Sequence, residues 1–194
     1  MIFGITGGTG CGKTTALKAI ETLGGTVLDC DAIYHELLKA DDALLSAIEA
    51  RFPGVVENRQ LQRKKLGAIV FSDPQALLDL NAITHAAIRA EVERRLADTP
   101  RLAAIDAVEL FTSGLAALCD TTVAVVAPPE DRVRRLMKRD NISEEYARAR
   151  IAAQKDEAWF RANCDHILEN TGSIDAFATK CIDFFRSFCI MEGE

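Results

Sequence analysis

The sequence predicts an α/β fold built on a mostly parallel sheet, with a helical insertion. Short apolar runs alternate with longer stretches of helical apolar spacing along the chain of 194 residues, a pattern typical of a sheet covered by crossover helices. A glycine-rich segment, 7–14, follows the first apolar run and precedes the first helical stretch. About seventy residues separate the second apolar run from the third, far more than one crossover helix needs.

The individual elements follow in order from these signals. Gly24 and Gly25 end the first helix, and Ser72-Asp73-Pro74 is a helix start with proline at the first helical position. Residues 189–194 are expected to form a frayed tail. Strands are predicted over 2–6, 26–29, 102–106, 121–126 and 166–169, and helices over 16–23, 32–50, 59–71, 74–97, 129–138 and 144–154.

Composition and charge restrict the class of protein. The length fits one domain with a substantial core, and the net charge of −6 disfavours general nucleic-acid binding. No apolar run approaches 18 residues, so no membrane partner is expected. The first strand is predicted to begin at residue 2, so no signal peptide is expected. The six cysteines form no Cys-x-x-Cys pair, which favours free thiols in a reducing cytoplasm over a zinc site.

The segment 7–14, GGTGCGKT, is a complete G-x-x-x-x-G-K-[ST] phosphate-binding loop. Its glycines let the backbone curl so that successive N–H groups face an anion, and the helix N-terminus adds partial positive charge. Lys13 is expected to neutralise the β- and γ-phosphates of a nucleotide, and the Thr14 hydroxyl to ligate Mg²⁺. The alternative is a glycine-rich turn with an ordinary lysine, but a strand and a helix lie on the sides that phosphate binding requires.

Three carboxylates lie at, or just after, the ends of predicted strands. Asp29 and Asp31 follow the second strand, where ligands of open α/β sheets bind. One of them can hold a metal ion, directly or through water, while the other accepts a proton from a substrate hydroxyl. Asp106 ends the third strand, as the second acidic element of phosphate-loop proteins does. Ordinary solvated turns are the alternative interpretation for all three positions.

Basic residues cluster after the fourth predicted strand. Most of them are expected to lie on a solvated helix face, although phosphoryl transfer gains from an arginine over the migrating phosphate. Arg139, at a helix–loop boundary, is the best candidate for that role. The cluster consists of Arg132, Arg134, Arg135, Lys138 and Arg139, with Arg148 and Arg150 following.

His85 and Arg89 are four residues apart on the predicted 74–97 helix and therefore share a face. Taken alone, His85 is best interpreted as a polar helix residue. No second histidine lies at metal-ligand spacing, so zinc is not supported. The sequence also lacks an N-K-x-D-like guanine signature, which weakens an interpretation as a GTPase.

Several separate stretches together resemble one family, the dephospho-CoA kinases. The phosphate loop alone is shared by many kinases, whereas the later stretches are specific to this family. The resemblance runs from residue 2 to about 175 without large gaps. It is carried by GITGGTGCGKT at 4–14, VLDCDAI at 27–33, VFSDP at 70–74, ITHAAIR at 83–89, the pattern from Arg139 to Gln154, and DHILENTGS at 165–173.

The resemblance implies transfer of the γ-phosphate of ATP, with Mg²⁺, to the ribose 3′-hydroxyl of dephospho-CoA. It also implies a P-loop NTPase fold like that of nucleoside monophosphate kinases, with a five-stranded parallel sheet. On this basis the nucleotide-binding core is expected to comprise 1–33, 98–138 and 155–194. A helical insertion for the acceptor substrate would comprise 34–97, and a mobile lid would comprise 139–154.

The same resemblance, combined with the residue chemistry, gives a set of expected roles. Lys13, Asp31 and Arg139 are expected to be catalytic. Asp29, Asp31, His85 and Arg89 are expected to contact the acceptor, and Thr14, Asp29 and Asp106 to hold the metal. The nucleotide is expected to contact Gly8, Gly10, Cys11, Gly12, Lys13, Thr14, Thr15, Arg139, Asn170 and Gly172.

The sequence departs from the family pattern on the acceptor side. Val108, Glu109 and Thr112 stand where the family usually has proline, leucine and glutamate, and Ala86 replaces the proline that follows the histidine. Two rival functions remain open at this point. Another small-molecule or nucleotide kinase would share the phosphate loop but not the His85–Arg89 segment. A non-enzymatic nucleotide switch would lack a substrate-binding insertion.

Overall fold

The computed structural model describes residues 1–99 and 102–191, with side chains through residue 188. Its strands are β1 (Ile2–Thr6), β2 (Thr26–Asp29), β3 (Val56–Glu57), β4 (Gln60–Leu61), β5 (Ala103–Asp106), β6 (Thr121–Val126) and β7 (His166–Glu169). Its α-helices are α1 (Lys13–Thr22), α2 (Cys30–Ala40), α3 (Asp42–Arg51), α4 (Arg63–Val70), α5 (Pro74–Ala97), α6 (Pro129–Asp140), α7 (Glu144–Ala152), α8 (Glu157–Asn163) and α9 (Ile174–Met191).

The predicted α/β fold is confirmed, because five strands form one parallel sheet in the order β2-β5-β1-β6-β7. The register aligns the carboxyl ends of the strands that carry the candidate acids. Asp106 of β5 pairs with Asp29 of β2 on one side and with Ile5 of β1 on the other. The loop that follows β1 therefore leaves the sheet beside both carboxylates.

Helices cover both faces of this sheet. On one face α1 and α9 pack over β1 and β6, with Phe3, Ile20, Cys181 and Phe185 buried between them. On the other face α2 and the C-terminal half of α5 pack over β2 and β5, where Ile33, Val92 and Ile105 are buried. A sheet with apolar residues on both faces is stable only when both faces are covered. Because the loops at its carboxyl edge connect the strands to these packed helices, the packing also fixes the positions of the loops.

A second apolar cluster lies within α2–α5, in the segment predicted as the insertion. Its buried side chains include Leu45, Ile48, Phe52, Leu66 and Val70. This cluster contains no residue of the five-stranded sheet, whereas α5 contributes to both clusters. The long helix α5 therefore connects the packing of the insertion to the packing of the sheet.

Two predicted helices differ from the structure. The single helix predicted over 32–50 is wrong, because Asp41 ends α2 and caps α3 by accepting from the N–H groups of Ala43 and Leu44 at 2.8 and 3.2 Å. The helix predicted from residue 59 begins only at Arg63, after the short β3–β4 hairpin. Asn58 and Arg59 both adopt positive φ, of 51° and 60°, as the tight turn of such a hairpin requires.

Two helices near the C-terminus were not predicted at all. Helix α8 is short, and α9 has an apolar stripe that packs on α1 and β1. The prediction of a frayed tail from residue 189 is wrong for its first part, because α9 continues through Met191. Residues 192–194 lie outside the described residues. Over the part of the chain that the structure describes, no helix is long and apolar enough to cross a bilayer.

Candidate active site

The P-loop, residues 7–14, forms a curled turn between β1 and α1. Gly12 caps α1 with φ of 102°, and an added Cβ would lie 2.2 Å from Asn170 Nδ2, so this position admits only glycine. Lys13 Nζ donates to the carbonyl of Gly7 at 3.1 Å and thereby folds its side chain over the loop. This curled backbone at a helix N-terminus is the geometry that binds phosphate groups.

Side chains from other elements hold the underside of the P-loop. Asn170 is buried and donates through Nδ2 to the carbonyl of Cys11 at 2.8 Å. Arg135 of α6 donates to the carbonyls of Gly10 and Cys11 at 3.2 and 3.3 Å. The Cys11 side chain is itself buried, and burial raises the pKa of its thiol. Cys11 therefore presents only its backbone to a nucleotide, and the Asn170 amide supports the loop.

The three predicted carboxylates meet at the sheet edge beside the loop, but their environments differ. Asp29 Oδ1 caps α2 by accepting from the N–H groups of Asp31 and Ala32 at 2.9 and 3.0 Å. Asp31 is exposed in the first turn of α2. Asp106 has a buried Oδ1 with no hydrogen-bond partner among the described residues. Burial raises the pKa of Asp106 to about 6; Lys13 opposes the shift, whereas Asp29 and Asp31 add to it.

The orphaned oxygen of Asp106 fits a hard cation such as Mg²⁺. Carboxylate and hydroxyl oxygens are its preferred ligands, and Asp106 lines the same cavity as Thr14. No group of three or more histidine, cysteine or acidic side chains suited to a metal occurs within residues 1–99 and 102–191. A cation here must therefore complete its coordination with phosphate and water, as Mg²⁺ commonly does.

The raised pKa of Asp106 predicts an unusual dependence of stability on pH for the ligand-free protein. The folded state binds the Asp106 proton up to about pH 6, whereas the unfolded state releases it near pH 4. The cost of ionising Asp106 is thus absent below pH 4 and grows as the pH rises to 6. It amounts to about 3 kcal/mol at most. Asp106→Asn should remove this contribution.

Urea unfolding of both proteins between pH 4 and pH 7, in the presence of EDTA, measures this effect. The free energy of unfolding of the wild type, relative to that of Asp106→Asn, should fall across this interval by about 1–3 kcal/mol. A constant difference between the two proteins over the whole interval would show that the Asp106 pKa is not raised by folding.

A cavity of about 870 Å³ opens over the P-loop and contains most of the predicted nucleotide contacts. Gly8, Gly10, Gly12, Lys13 and Thr14 line it from the loop, and Asp31 and Asp106 from the sheet edge. Four basic side chains, Arg135, Lys138, Arg139 and Arg150, line it from α6 and α7. A chain of net charge −6 thus concentrates positive charge where a polyphosphate would bind. Four of the predicted nucleotide contacts do not line this cavity, namely Cys11, Thr15, Asn170 and Gly172.

Arg139 reaches the cavity wall but is paired in this state. Its guanidinium donates to both carboxylate oxygens of Asp140, at 2.7 and 2.9 Å. Arg150 donates to the same carboxylate at 2.6 Å, and these bonds hold the pKa of Asp140 well below its usual range. Asp140 therefore gathers two arginines of the predicted lid at the mouth of the cavity, and Arg139 must exchange this partner to contact a phosphate.

A second cavity of about 150 Å³ adjoins the first and contains His85. Tyr34, Thr84 and Glu109 also line it, and Asp31 lies in the walls of both cavities. Burial lowers the pKa of His85, while Glu109 opposes the shift. The ring is therefore favoured in its neutral form at pH 7, in which one nitrogen donates and the other accepts.

Arg89, the other predicted acceptor contact on α5, does not line this cavity. Its Nη1 donates to the carbonyl of Gly114 and its Nε to Glu93, both at 2.9 Å. Arg89 thus holds the turn that follows β5, which carries Glu109 and Ser113 of the cavity wall. His85 therefore lines the cavity itself, whereas Arg89 acts on the cavity only by holding this turn.

Sequence reasoning did not identify Arg132, Arg135 and Gln154 as contacts of the P-loop. Arg132 and Arg135 lie three residues apart on α6 and contact the loop, whereas Arg134 between them is exposed and pairs with Asp131. The three-residue spacing was the available signal, since it places two arginines on one helix face. The charge cluster alone did not reveal which face is turned toward the loop.

The strand order, the P-loop and the adjoining acidic and basic residues define a P-loop kinase. The family model for dephospho-CoA kinase matches residues 1–176, and the chain belongs to the dephospho-CoA kinase family. The expected family is therefore confirmed. Membership of this family makes the protein a phosphotransferase. A non-enzymatic nucleotide switch is therefore not the favoured interpretation.

Curated relatives and solved structures agree with this assignment. The chain is 35% identical to the dephospho-CoA kinase of Geobacillus kaustophilus, over 99% of this chain and 98% of that one. It is 37% identical to that of Anaeromyxobacter dehalogenans, over 92% and 88% of the two chains. The solved dephospho-CoA kinase of Campylobacter jejuni is 26% identical with a TM-score of 0.70, over 96% of each chain. A solved shikimate kinase of Bacteroides thetaiotaomicron, 16% identical with a TM-score of 0.57 over 96% and 98% of the chains, shares the fold.

Proposed function

We propose that the protein transfers the γ-phosphoryl group of ATP to the ribose 3′-hydroxyl of dephospho-CoA, giving coenzyme A and ADP. The observation that carries this proposal is the position of Asp31, which lies in the walls of both the P-loop cavity and the His85 cavity. A carboxylate between a nucleotide site and an acceptor pocket can accept the proton of an attacking hydroxyl. Membership of the family supplies the identity of the acceptor.

On the nucleotide side, the P-loop N–H groups and Lys13 would hold the β- and γ-phosphates. Thr14 and Asp106 would hold Mg²⁺, with Asp29 acting through its water shell, and the ion supplies positive charge against these phosphates when bound. Asp29 fits an indirect role because its Oδ1 already accepts two backbone N–H groups. Lys13 also offsets the charge of Asp106.

On the acceptor side, Asp31 would orient the 3′-hydroxyl and accept its proton as the oxygen attacks the γ-phosphorus. The new P–O bond forms as the bond to the ADP oxygen breaks, so the product carries the phosphate and Asp31 the proton. Neutral His85 would orient the ribose or the diphosphate through a hydrogen bond. Arg139 would leave Asp140 and contact the migrating phosphate when the segment 139–154 closes.

The division into a core, an acceptor insertion over 34–97 and a lid over 139–154 belongs to the same proposal. The separate apolar cluster of α2–α5 supports the insertion. A cytoplasmic location and the lack of nucleic-acid partners follow from the charge and composition and stay predictions of the sequence.

The position of the transferred phosphate tests the proposed reaction. Purified protein is incubated with ATP, Mg²⁺ and dephospho-CoA, and the product is analysed by mass spectrometry and by phosphorus–proton NMR correlation. We expect a single new phosphate coupled to the ribose H3′. A phosphate on the 2′-position, or ADP release without a phosphorylated acceptor, would contradict the proposal.

His85→Ala should raise the Michaelis constant for dephospho-CoA by about tenfold and leave that for ATP nearly unchanged, because His85 lines only the acceptor cavity. Arg89→Ala should act in the same direction by releasing the turn at Gly114. Arg94→Ala is the matched control, since Arg94 is exposed on the same helix and pairs with Glu91. Steady-state kinetics with each substrate varied separately measures these effects, and equal changes for both substrates would indicate general structural damage.

A further inference from the structure

Both backbone groups of Thr9, at the outer edge of the P-loop, are bound by side chains from distant parts of the chain. The Thr9 N–H donates to Gln154 Oε1 at 2.7 Å, and Arg132 Nε donates to the Thr9 carbonyl at 2.9 Å. Arg132 Nη2 also lies 3.5 Å from Gln154 Oε1. We call these three residues the Thr9 latch.

The side chain of Arg132 packs against the P-loop and is not a solvated surface arginine. Its guanidinium is half-buried, and burial lowers its pKa. No ion pair of Arg132 occurs among the described residues, so hydrogen bonds to the loop carbonyl and to Gln154 offset its desolvation. A Cβ on Gly8 would lie 2.3 Å from Arg132 Nη2, so the guanidinium packs directly against the loop backbone.

Gln154 connects the latch to the predicted lid. It follows α7 and lines the P-loop cavity together with Lys13 and Arg139. Helix α7 packs on α6 through Leu136 and Ala147, so the N-terminal part of the lid is held by α6. The C-terminal end of the lid is held on the loop itself, through Gln154.

We propose that Arg132 is a positioning residue which, together with Gln154, couples the segment 139–154 to the conformation of the P-loop. When a nucleotide binds, the N–H groups of the other loop residues turn toward its phosphates, and Thr9, whose own N–H stays on Gln154, moves with them. The two hydrogen bonds of Thr9 carry this movement to Arg132 and Gln154, and so to the lid. The catalytic consequence rests on the proposed function, whereas the coupling itself needs only the nucleotide.

The test compares Arg132→Ala, Gln154→Ala and the double variant with the wild type. Arg134→Ala is the matched control, because Arg134 is exposed on the same helix and pairs with Asp131. We expect each single variant to bind ADP about tenfold more weakly, as loss of a hydrogen bond of this kind implies. The double variant should be at most about twofold weaker than Arg132→Ala, because both side chains act through Thr9. Arg132→Lys, which keeps a donor and the charge, should recover part of the affinity.

Hydrogen exchange at saturating ADP distinguishes coupling from simple loss of affinity. In the wild type, ADP should protect both 7–14 and 139–155. In Arg132→Ala and Gln154→Ala, ADP should protect 7–14 and leave 139–155 unchanged. Thermal unfolding midpoints show which of the variants fold. If Arg132→Ala does not fold, then Gln154→Ala and Arg132→Lys are compared with the wild type in its place.

The proposal is overturned if ADP binds Arg132→Ala within twofold of the wild type, or if the losses of the single variants multiply in the double variant. It is also overturned if ADP protects 139–155 equally in all proteins. None of these measurements contains dephospho-CoA. Failure of the proposed reaction would therefore appear as a wild type that binds ADP and does not phosphorylate the acceptor, which leaves the test of the latch intact.

Discussion

Lys13→Ala is expected to reduce phosphoryl transfer by at least about 10²–10³-fold, the cost of removing one preorganised charge from a transition state. Lys13 extends over the P-loop to the Gly7 carbonyl and lines the nucleotide cavity. Its loss removes positive charge from the position where the γ-phosphate becomes more negative. Turnover at saturating ATP and dephospho-CoA measures the effect.

The fold should tolerate this substitution. Lys13 is only half-buried and belongs to none of the apolar clusters, so the free energy of unfolding should change by less than about 1 kcal/mol. Lys18→Ala is the matched control, because Lys18 is exposed on the same helix. A Lys13→Ala protein that turns over within a few-fold of the wild type would refute the assignment of the loop.

Asp31→Asn is expected to lower turnover by about 10²–10⁴-fold, the usual contribution of a general base, while ATP affinity changes only slightly. The amide keeps the shape of the side chain and cannot accept the proton of the ribose hydroxyl. Asp31 uses its backbone N–H, and not its carboxylate, in the cap of α2, so the helix should begin at the same residue. Turnover and ATP affinity, measured separately, distinguish the two effects.

Asp42→Asn provides the control for this variant, because Asp42 is an exposed first-turn carboxylate of the next helix. It likewise removes a carboxylate charge near a helix N-terminus, together with an exposed ion pair with Arg59, and Asp42 lines neither cavity. If Asp31→Asn instead loses only ATP affinity, then Asp31 belongs to the metal site and another group accepts the proton.

The sheet and the P-loop were predictable because their signals are local. The end of β2 at Asp29 and that of β5 at Asp106 were predicted correctly, since a short apolar run that ends in aspartate marks both a strand end and a turn. The meeting of Asp29 and Asp106 depends on the strand order. That order was not readable from either strand, and only the structure gives it.

The failures came from interactions between distant residues. Asp41 interrupts an otherwise helical run because its side chain caps α3, and this cap competes with continuation of α2. The packing of Phe185 against Phe3 stabilises α9, and tertiary packing of this kind overrides local signals. In the sequence, Arg132 cannot be told from the solvated arginines of the same helix. Only its contact with Thr9, 123 positions away, reveals its role.

The central claim, an ATP-dependent kinase for dephospho-CoA, is tested most directly by coupled measurement of ADP formation with different acceptors. Dephospho-CoA, adenosine and shikimate are compared at equal concentrations with ATP and Mg²⁺. The structure and the family predict a kcat/KM for dephospho-CoA about 10³-fold or more above that of either alternative, because polar acceptor contacts discriminate strongly. Equal ADP formation with all three acceptors, or with none present, would contradict the account.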